Sequence, residues 1–202
     1  MKNEIKYKGS RHLHPDKRRE QISQAAIKCF GIHGYSDTTV EMIATETGLS
    51  KGSIYRFYSS KDEIMGAAFE RYISDLESRI NLHAEGQDAL TSLYLLCKLT
   101  LDAFSEGSEL MAVWVEFMRH DNSINLLRVY YAKLQARIDE LLKAGKENGE
   151  VPTAVPYEAA GLVTSVIEGH IVLSNALSDF NALQQFERSW DVIKSGILSY
   201  QR

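Results

Sequence analysis

The chain has 202 residues, 44% of them hydrophobic and 25% charged, which is the balance of an ordinary globular protein or of a small domain joined to a larger one. It has no apolar run near the roughly 18 residues that a bilayer span requires, and the opening "MKNEIKYKGSRHLHP" has no hydrophobic signal stretch, so the expectation is a cytoplasmic protein. The net charge of −4 hides an asymmetry. Residues 1–61 hold eleven Lys/Arg against six Asp/Glu, and the rest hold twelve against twenty-one, so a polyanion would meet the front of the chain only.

Taken in order, the segments are helical almost throughout, and an all-α fold of about nine helices is predicted. Residues 1–14, with Lys2, Lys6, Lys8 and Arg11, read as a flexible basic arm or as plain disorder. Pro15 and Asp16 open a first helix whose set Ile22, Ala25, Ala26, Cys29, Phe30 and His33 recurs at three- and four-residue steps, with Gly34 as its left-handed cap. A short second helix follows, with Thr39 as N-cap, Ile43 and Ala44 facing inward and Gly48 as its stop. Ser50 caps a third, from Lys51 to about Phe57, and Ser59 or Ser60 caps a fourth. Longer helices are predicted over 60–83, 88–105, 109–119, 122–148, 156–178 and 182–200, separated by turn-type clusters such as "HAEGQD" and "ENGEVPTAVP". The domain reading is thus an arm over 1–14, a helix-turn-helix domain over 15–60, and a ligand-binding and dimerisation domain over 61–202.

The stretch "GLSKGSIYRFYSSKDEIM", Gly48 to Met65, is crowded with poor helix formers. Two short helices joined by a Gly-containing turn are a helix-turn-helix pattern, and small residues, hydroxyls and cations on the second helix suit entry into a major groove. Lys51, Gly52, Ser53, Tyr55 and Arg56 fall on that outward face. Lys61 opens the next helix, where free backbone N–H groups suit a phosphate. A bare helix-turn-helix spacing is equally compatible with an exposed polar turn. The wider run "ISQAAIKCFGIHGYSDTTVEMIATETGLSKGSIYRFYSSKDEIM" resembles the N-terminal domain of TetR-type (tetracycline-repressor-like) bacterial regulators. The resemblance implies that Lys51, Gly52, Ser53 and Arg56 line the groove and that Thr39, Tyr55 and Lys61 grip phosphates. Glu41 departs from the basic or neutral residue usual at its position; it either accepts from a cytosine amine or faces solvent.

Reading DNA through one such module gives little specificity, so a two-fold dimer is expected. Phe186, Trp190, Ile193 and Ile197 form a packing stripe on the last helix, and Gly161, Ser165 and Gly169 a small-residue face on the one before. These either join two protomers in a four-helix bundle or cover the chain's own core. The middle helices are rich in aromatic and Met side chains, which suits either a solid core or an apolar ligand cavity. The segments "VWVEFMRHDN", "YYAKLQARIDELLKAGKENGEV" and "EAAGLVTSVIEGHIVL" resemble the C-terminal domain of the subgroup that includes the choline-sensing regulator of betaine synthesis. That resemblance implies an inducer pocket. Its candidates are Trp114, Phe117, Met118, Tyr130, Tyr131, Glu168 and His170, with Glu116 and His120 as further polar groups, for a small apolar or cationic inducer.

Cys29 and Cys97 read as buried free thiols. No CxxC, HExxH or Gly-rich phosphate loop occurs, so no metal, cofactor or catalytic residue is expected. The resulting expectation is a homodimeric repressor that leaves a palindromic DNA operator when a small molecule binds. The alternatives are a helical DNA-binding regulator controlled by a protein partner, and an all-α lipid- or drug-sequestering protein.

Overall fold

In the computed structural model, which describes residues 13–104, 111 and 124–200, the described chain is helical, with no strand among these residues. The helices are α1 (Pro15–Asp37), α2 (Val40–Thr47), α3 (Lys51–Tyr55), α4 (Lys61–Ala84), α5 (Ala89–Ala103), α6 (Ile124–Glu147), α7 (Ala159–Ala176) and α8 (Ala182–Leu198). Of the expected helix over 109–119 only Met111 is among the described residues, and residues 1–12 lie outside them.

Side-chain caps set most of the boundaries. Thr39 accepts from the Met42 N–H at 3.2 Å, Ser50 from Ser53 at 3.1 Å and Ser60 from Glu63 at 3.0 Å. Ser60, rather than Ser59, is the α4 cap; the Glu63 carboxylate reaches back one residue further, accepting from the Ser59 N–H at 2.6 Å and the Ser59 hydroxyl at 2.7 Å. Asp88 and Asn181 cap α5 and α8 in the same way. Each such cap contributes about 1 kcal/mol. α2 ends at Gly48 (φ 68°), whose left-handed backbone lets the Leu49 N–H reach the Ala44 carbonyl at 2.9 Å. Gly34 (φ 74°, ψ 166°) breaks the helical path of α1 where the sequence placed its stop, and the short turn beyond the kink carries Tyr35 into the core.

The front core is built from Ile22, Ala26, Phe30, Ile43, Ile54 and Tyr58, joined by Ile64 and Ala68 of α4. Burying a side chain such as Phe30 or Ile43 contributes about 1.5–3 kcal/mol. His33 is exposed, so it drops out of the apolar set expected for α1. Behind, α5 is the central helix, touching α4, α6, α7 and α8, as its all-round apolar sequence predicts. Among the described helices, α4 joins the two cores: its N-terminal half packs on α1, and its C-terminal half, from Ile73 to Ile80, packs on α5.

The last two helices place the expected dimer residues unevenly. Phe186 has 0% exposure and stacks 6.0 Å from Tyr94, and Ile197 is 8% exposed. These two have little surface to offer a partner, which corrects their reading as partner contacts: the amphipathic stripe of α8 points at α5 and α7. Trp190 and Ile193 are half-buried against the same core. Gly161 is half-buried, facing Gln135 of α6. Ser165 is exposed and Gly169 looks into open space, beside exposed Leu162, Val172, Leu173 and Leu177. On α8 the exposed apolar residues are Val192 and Leu198.

Candidate nucleic-acid interface and ligand pocket

α3 is only five residues long, too short to hold itself in place, so α1 and α4 position it. Ile54 is fully buried beneath it. Arg19 of α1 donates to the Phe57 carbonyl at 2.8 Å, and its guanidinium lies 5.8 Å from the Phe57 ring and 5.5 Å from that of Tyr58. Tyr58 shares a buried 3.2 Å hydrogen bond with Ser23. Gln21 donates to the Thr47 carbonyl at 3.0 Å, closing the end of α2. Sequence reasoning missed Arg19 and Gln21, because their partners lie 38 and 26 residues away.

What remains outward is the surface expected for a groove. Thr39, Lys51, Gly52, Tyr55 and Arg56 are exposed; Ser53 is half-buried, its hydroxyl 2.9 Å from that of Ser50. A Cβ on Gly52 would come no nearer than 4.0 Å to Ser50 Oγ, so the fold itself does not demand glycine there. Lys51 Nζ lies 6.0 Å from the Tyr55 ring and forms a hydrogen-bonded ion pair with Glu41 of α2. That hydrogen bond holds the Glu41 carboxyl below the ordinary carboxylate range and the Lys51 ammonium above its own ordinary value.

Lys61 is placed differently from the expectation of a phosphate contact. Its ammonium donates to the carbonyls of Tyr35 at 2.7 Å, Thr38 at 2.9 Å and Ser36 at 3.2 Å, and sits 4.2 Å from the Tyr35 ring centre. A lysine ammonium has three donors, and all three are used inside the chain. Lys61 therefore fastens the start of α4 to the end of α1, and the Tyr35 hydroxyl adds a hydrogen bond to Asp62.

Behind this unit, α4, α5 and α6 enclose a cavity of about 230 Å³. Its walls are Ile73, Leu76, Ile80, Leu96, Leu134 and Tyr130, and its rim carries Glu77, Asn81, Lys133 and Arg137. Arg137 donates to Asn81 at 3.2 Å across the rim, whereas Lys133 has no hydrogen-bond or ion-pair partner among the described residues. Of the expected inducer residues, Tyr130 lines this cavity, packed 6.0 Å from Phe69 and 6.4 Å from Phe104. Tyr131 touches Tyr130 at 5.4 Å, and its hydroxyl donates to Glu168. Burial pushes the Glu168 carboxyl up, partly opposed by that hydrogen bond, and burial pushes both tyrosine phenols up. His170 is not at the cavity. It hydrogen-bonds the Val166 carbonyl at 2.7 Å and packs on Phe180 and Phe186 between α7 and α8. Trp114, Glu116, Phe117, Met118 and His120 lie outside the described residues.

A three-helix unit that presents a short cationic helix, carried on an all-helical domain with its own cavity, defines a helix-turn-helix DNA-binding protein. Comparison with known proteins agrees and narrows it. Residues 22–68 match the family described as bacterial regulatory proteins, tetR family. The helix-turn-helix transcriptional regulator YfiR of Bacillus subtilis is 27% identical over 152 residues, covering 71% of this chain and 72% of its own length. The regulator BetI of Brucella suis is 28% identical over 126 residues, 60% of this chain and 64% of BetI. A transcriptional regulator from Saccharomonospora viridis, solved in complex with choline, superposes with a TM-score of 0.77 at 20% identity, over 92% of this chain and all of that one. Residues 22–68 thus carry the DNA-binding domain of the tetR family, and over most of its length the chain is similar to DNA-binding transcriptional regulators.

Proposed function

We propose that this regulator is a homodimeric repressor that holds a palindromic operator and releases it when a small molecule enters the cavity between α4, α5 and α6. The observation that carries the reading is the course of α4. One uninterrupted helix begins at the Lys61 clamp under the DNA-binding unit and supplies Ile73, Leu76, Glu77, Ile80 and Asn81 to the cavity. A guest that prefers one placement of the C-terminal half of α4 biases the position of the three-helix unit, to the extent of its differential affinity for the two placements. Two recognition helices must sit about 34–36 Å apart to enter successive major grooves, so a small rotation of α4 in each protomer is enough to break the match. In this reading Thr39, Lys51, Gly52, Ser53, Tyr55 and Arg56 meet DNA, and the open space around Gly52 lets the α3 backbone approach the bases.

The guest is apolar or amphipathic, with Tyr130 on the wall and the Tyr131–Glu168 pair behind it. The cavity favours an inducer over control by a protein partner alone, and the groove-facing residues speak against a purely sequestering protein.

The test is fluorescence anisotropy on the DNA upstream of its own gene, at near-physiological salt with excess competitor. Specific binding should exceed non-specific binding by at least ~10³-fold and be lost in Tyr55→Ala and Arg56→Ala. A compound that releases the wild type but not Leu134→Trp, which fills the cavity, supports the coupling. Equal release of both proteins removes the cavity from the mechanism.

A further inference from the structure

On the surface that faces DNA stands a carboxylate. Glu41 lies in the first turn of α2 and Lys51 is the first residue of α3; the two are ten residues apart, and their ion pair bridges the helix-turn-helix on its outer side. The Glu41 and Lys51 side chains are 58% and 46% exposed. A pair so open to water adds little to stability, because its attraction is screened and two long side chains are ordered to hold it. Glu41 would interact with the α2 dipole without Lys51. Lys51, for its part, carries its charge at the end of α3 where a cation is unfavourable. The fold therefore accounts for a carboxylate in the first turn of α2, but not for a cation at the start of α3 or for the pairing of the two.

The pairing is explained by a base pair. In the major groove, guanine presents two acceptors, O6 and N7, and the cytosine opposite presents the N4 amino donor. A lysine ammonium donates to the guanine edge and a carboxylate accepts from the cytosine amine, so an adjacent Lys–Glu pair matches one G·C pair with both halves of its code. Against phosphate the pair behaves in the opposite way. The carboxylate is repelled, and a cation already neutralised displaces fewer counterions than a free one.

We propose that Glu41 and Lys51 act together as a specificity-determining unit that reads one G·C base pair in each half-site and weakens binding to DNA in general. The inference rests on the groove reading of α3. Lys51 supplies the guanine contacts, and Glu41 supplies the cytosine contact, orients the ammonium and keeps Lys51 off the backbone.

The experiment is selection from a pool of random duplex DNA, run in parallel with the full-length wild type, Glu41→Gln, Glu41→Ala and Lys51→Gln. Each is followed by titration of the enriched and unrelated duplexes over a range of salt. Glu41 is exposed, so the variants should keep the wild-type melting curve, which serves as the control for folding. The wild type should enrich a palindrome with one strongly preferred G·C pair per half-site. In Glu41→Ala that preference should fall by roughly ten- to hundredfold while the rest of the half-site stays. Its affinity for unrelated duplex should rise, with a salt dependence steeper by about one unit of slope per protomer. Lys51→Gln should lose the same base preference and bind all DNA more weakly. The proposal is overturned if Glu41→Ala enriches the same sequence with the same preference at every position. It is also overturned, together with the groove reading beneath it, if the wild type enriches no sequence at all, and that pattern tells the two failures apart.

Discussion

Glu168 shows how one buried group ties stability to pH. Burial raises its folded-state pKa above the ordinary 4.5, and the hydrogen bond from Tyr131 only partly opposes this. Between the ordinary value and the raised one, the folded chain binds more protons than the unfolded chain, so stability falls as pH rises through that window. The contribution of the neutral form is fully present below about pH 4.5 and is lost as the carboxyl ionises in its half-buried site. Glu168→Gln keeps the acceptor for Tyr131 and removes the ionisation. The variant should be more stable than the wild type at pH 7, with the difference closing below about pH 4.5. Thermal melts of the two proteins from pH 4 to 8 check the sign, and a difference that grows on acidification would contradict it.

Among the elements, α4 has the most to do, and its first residue holds the joint. Lys61 pairs the ammonium with three carbonyls at the end of α1, all within 3.2 Å, so that side chain links the α1–α2 connection to the start of α4. Lys61→Met keeps the length of the side chain but leaves those carbonyls short of a charged donor. Hydrogen bonds of this kind contribute about 1.5–3 kcal/mol, so a fall in melting temperature of roughly 5 °C is expected. Lys61→Arg should recover part of it. DNA affinity measured at a temperature where both proteins are folded should then show whether the residue also meets phosphate. A loss no larger than the shift in folding equilibrium explains would leave its role structural. Stability in α2 and α3 has a comparable origin: Arg19 and Gln21 of α1 hold the carbonyls at their ends, which such short helices cannot satisfy by themselves.

At the scale of the molecule, the outer face of α7 and α8 bears on assembly. Leu162, Val172, Leu173 and Leu177 stand exposed around Ser165 and the open side of Gly169, and Val192 is 74% exposed on α8. Small residues among exposed apolar ones allow two helices to approach closely, and two copies of this face would close a four-helix bundle about a two-fold axis. Val192→Asp and Leu173→Asp change side chains that the protomer leaves in water, so the protomer should keep its helical content. Sedimentation velocity should show the wild type as a dimer and the double variant as a monomer, with specific DNA affinity reduced by at least tenfold because one half-site is lost. A double variant that sediments as a dimer would move the interface elsewhere.

Much of the fold was legible along the chain because its determinants are local. Apolar steps of three and four, the caps at Thr39, Ser50 and Asn181, and the left-handed turn at Gly48 are each decided within a few residues, and the helices lie where those signals put them. The outward face of α3 was legible for the same reason: its residue types make poor core and good contact surface. What the tertiary structure decided were the questions that turn on who meets whom. Lys61 reads as a DNA-facing charge, yet it is drawn onto the end of α1, and Glu41 is drawn onto Lys51 ten residues away, since a charged group goes to a well-placed partner whatever its distance in sequence. Phe186 and Ile197 read as a stripe for a partner, but a helix shows only its period in sequence; which side faces its own core depends on the helices beneath it. The cavity belongs to this second kind as well. Its walls come from three helices, and whether their side chains meet or leave room is settled by packing alone.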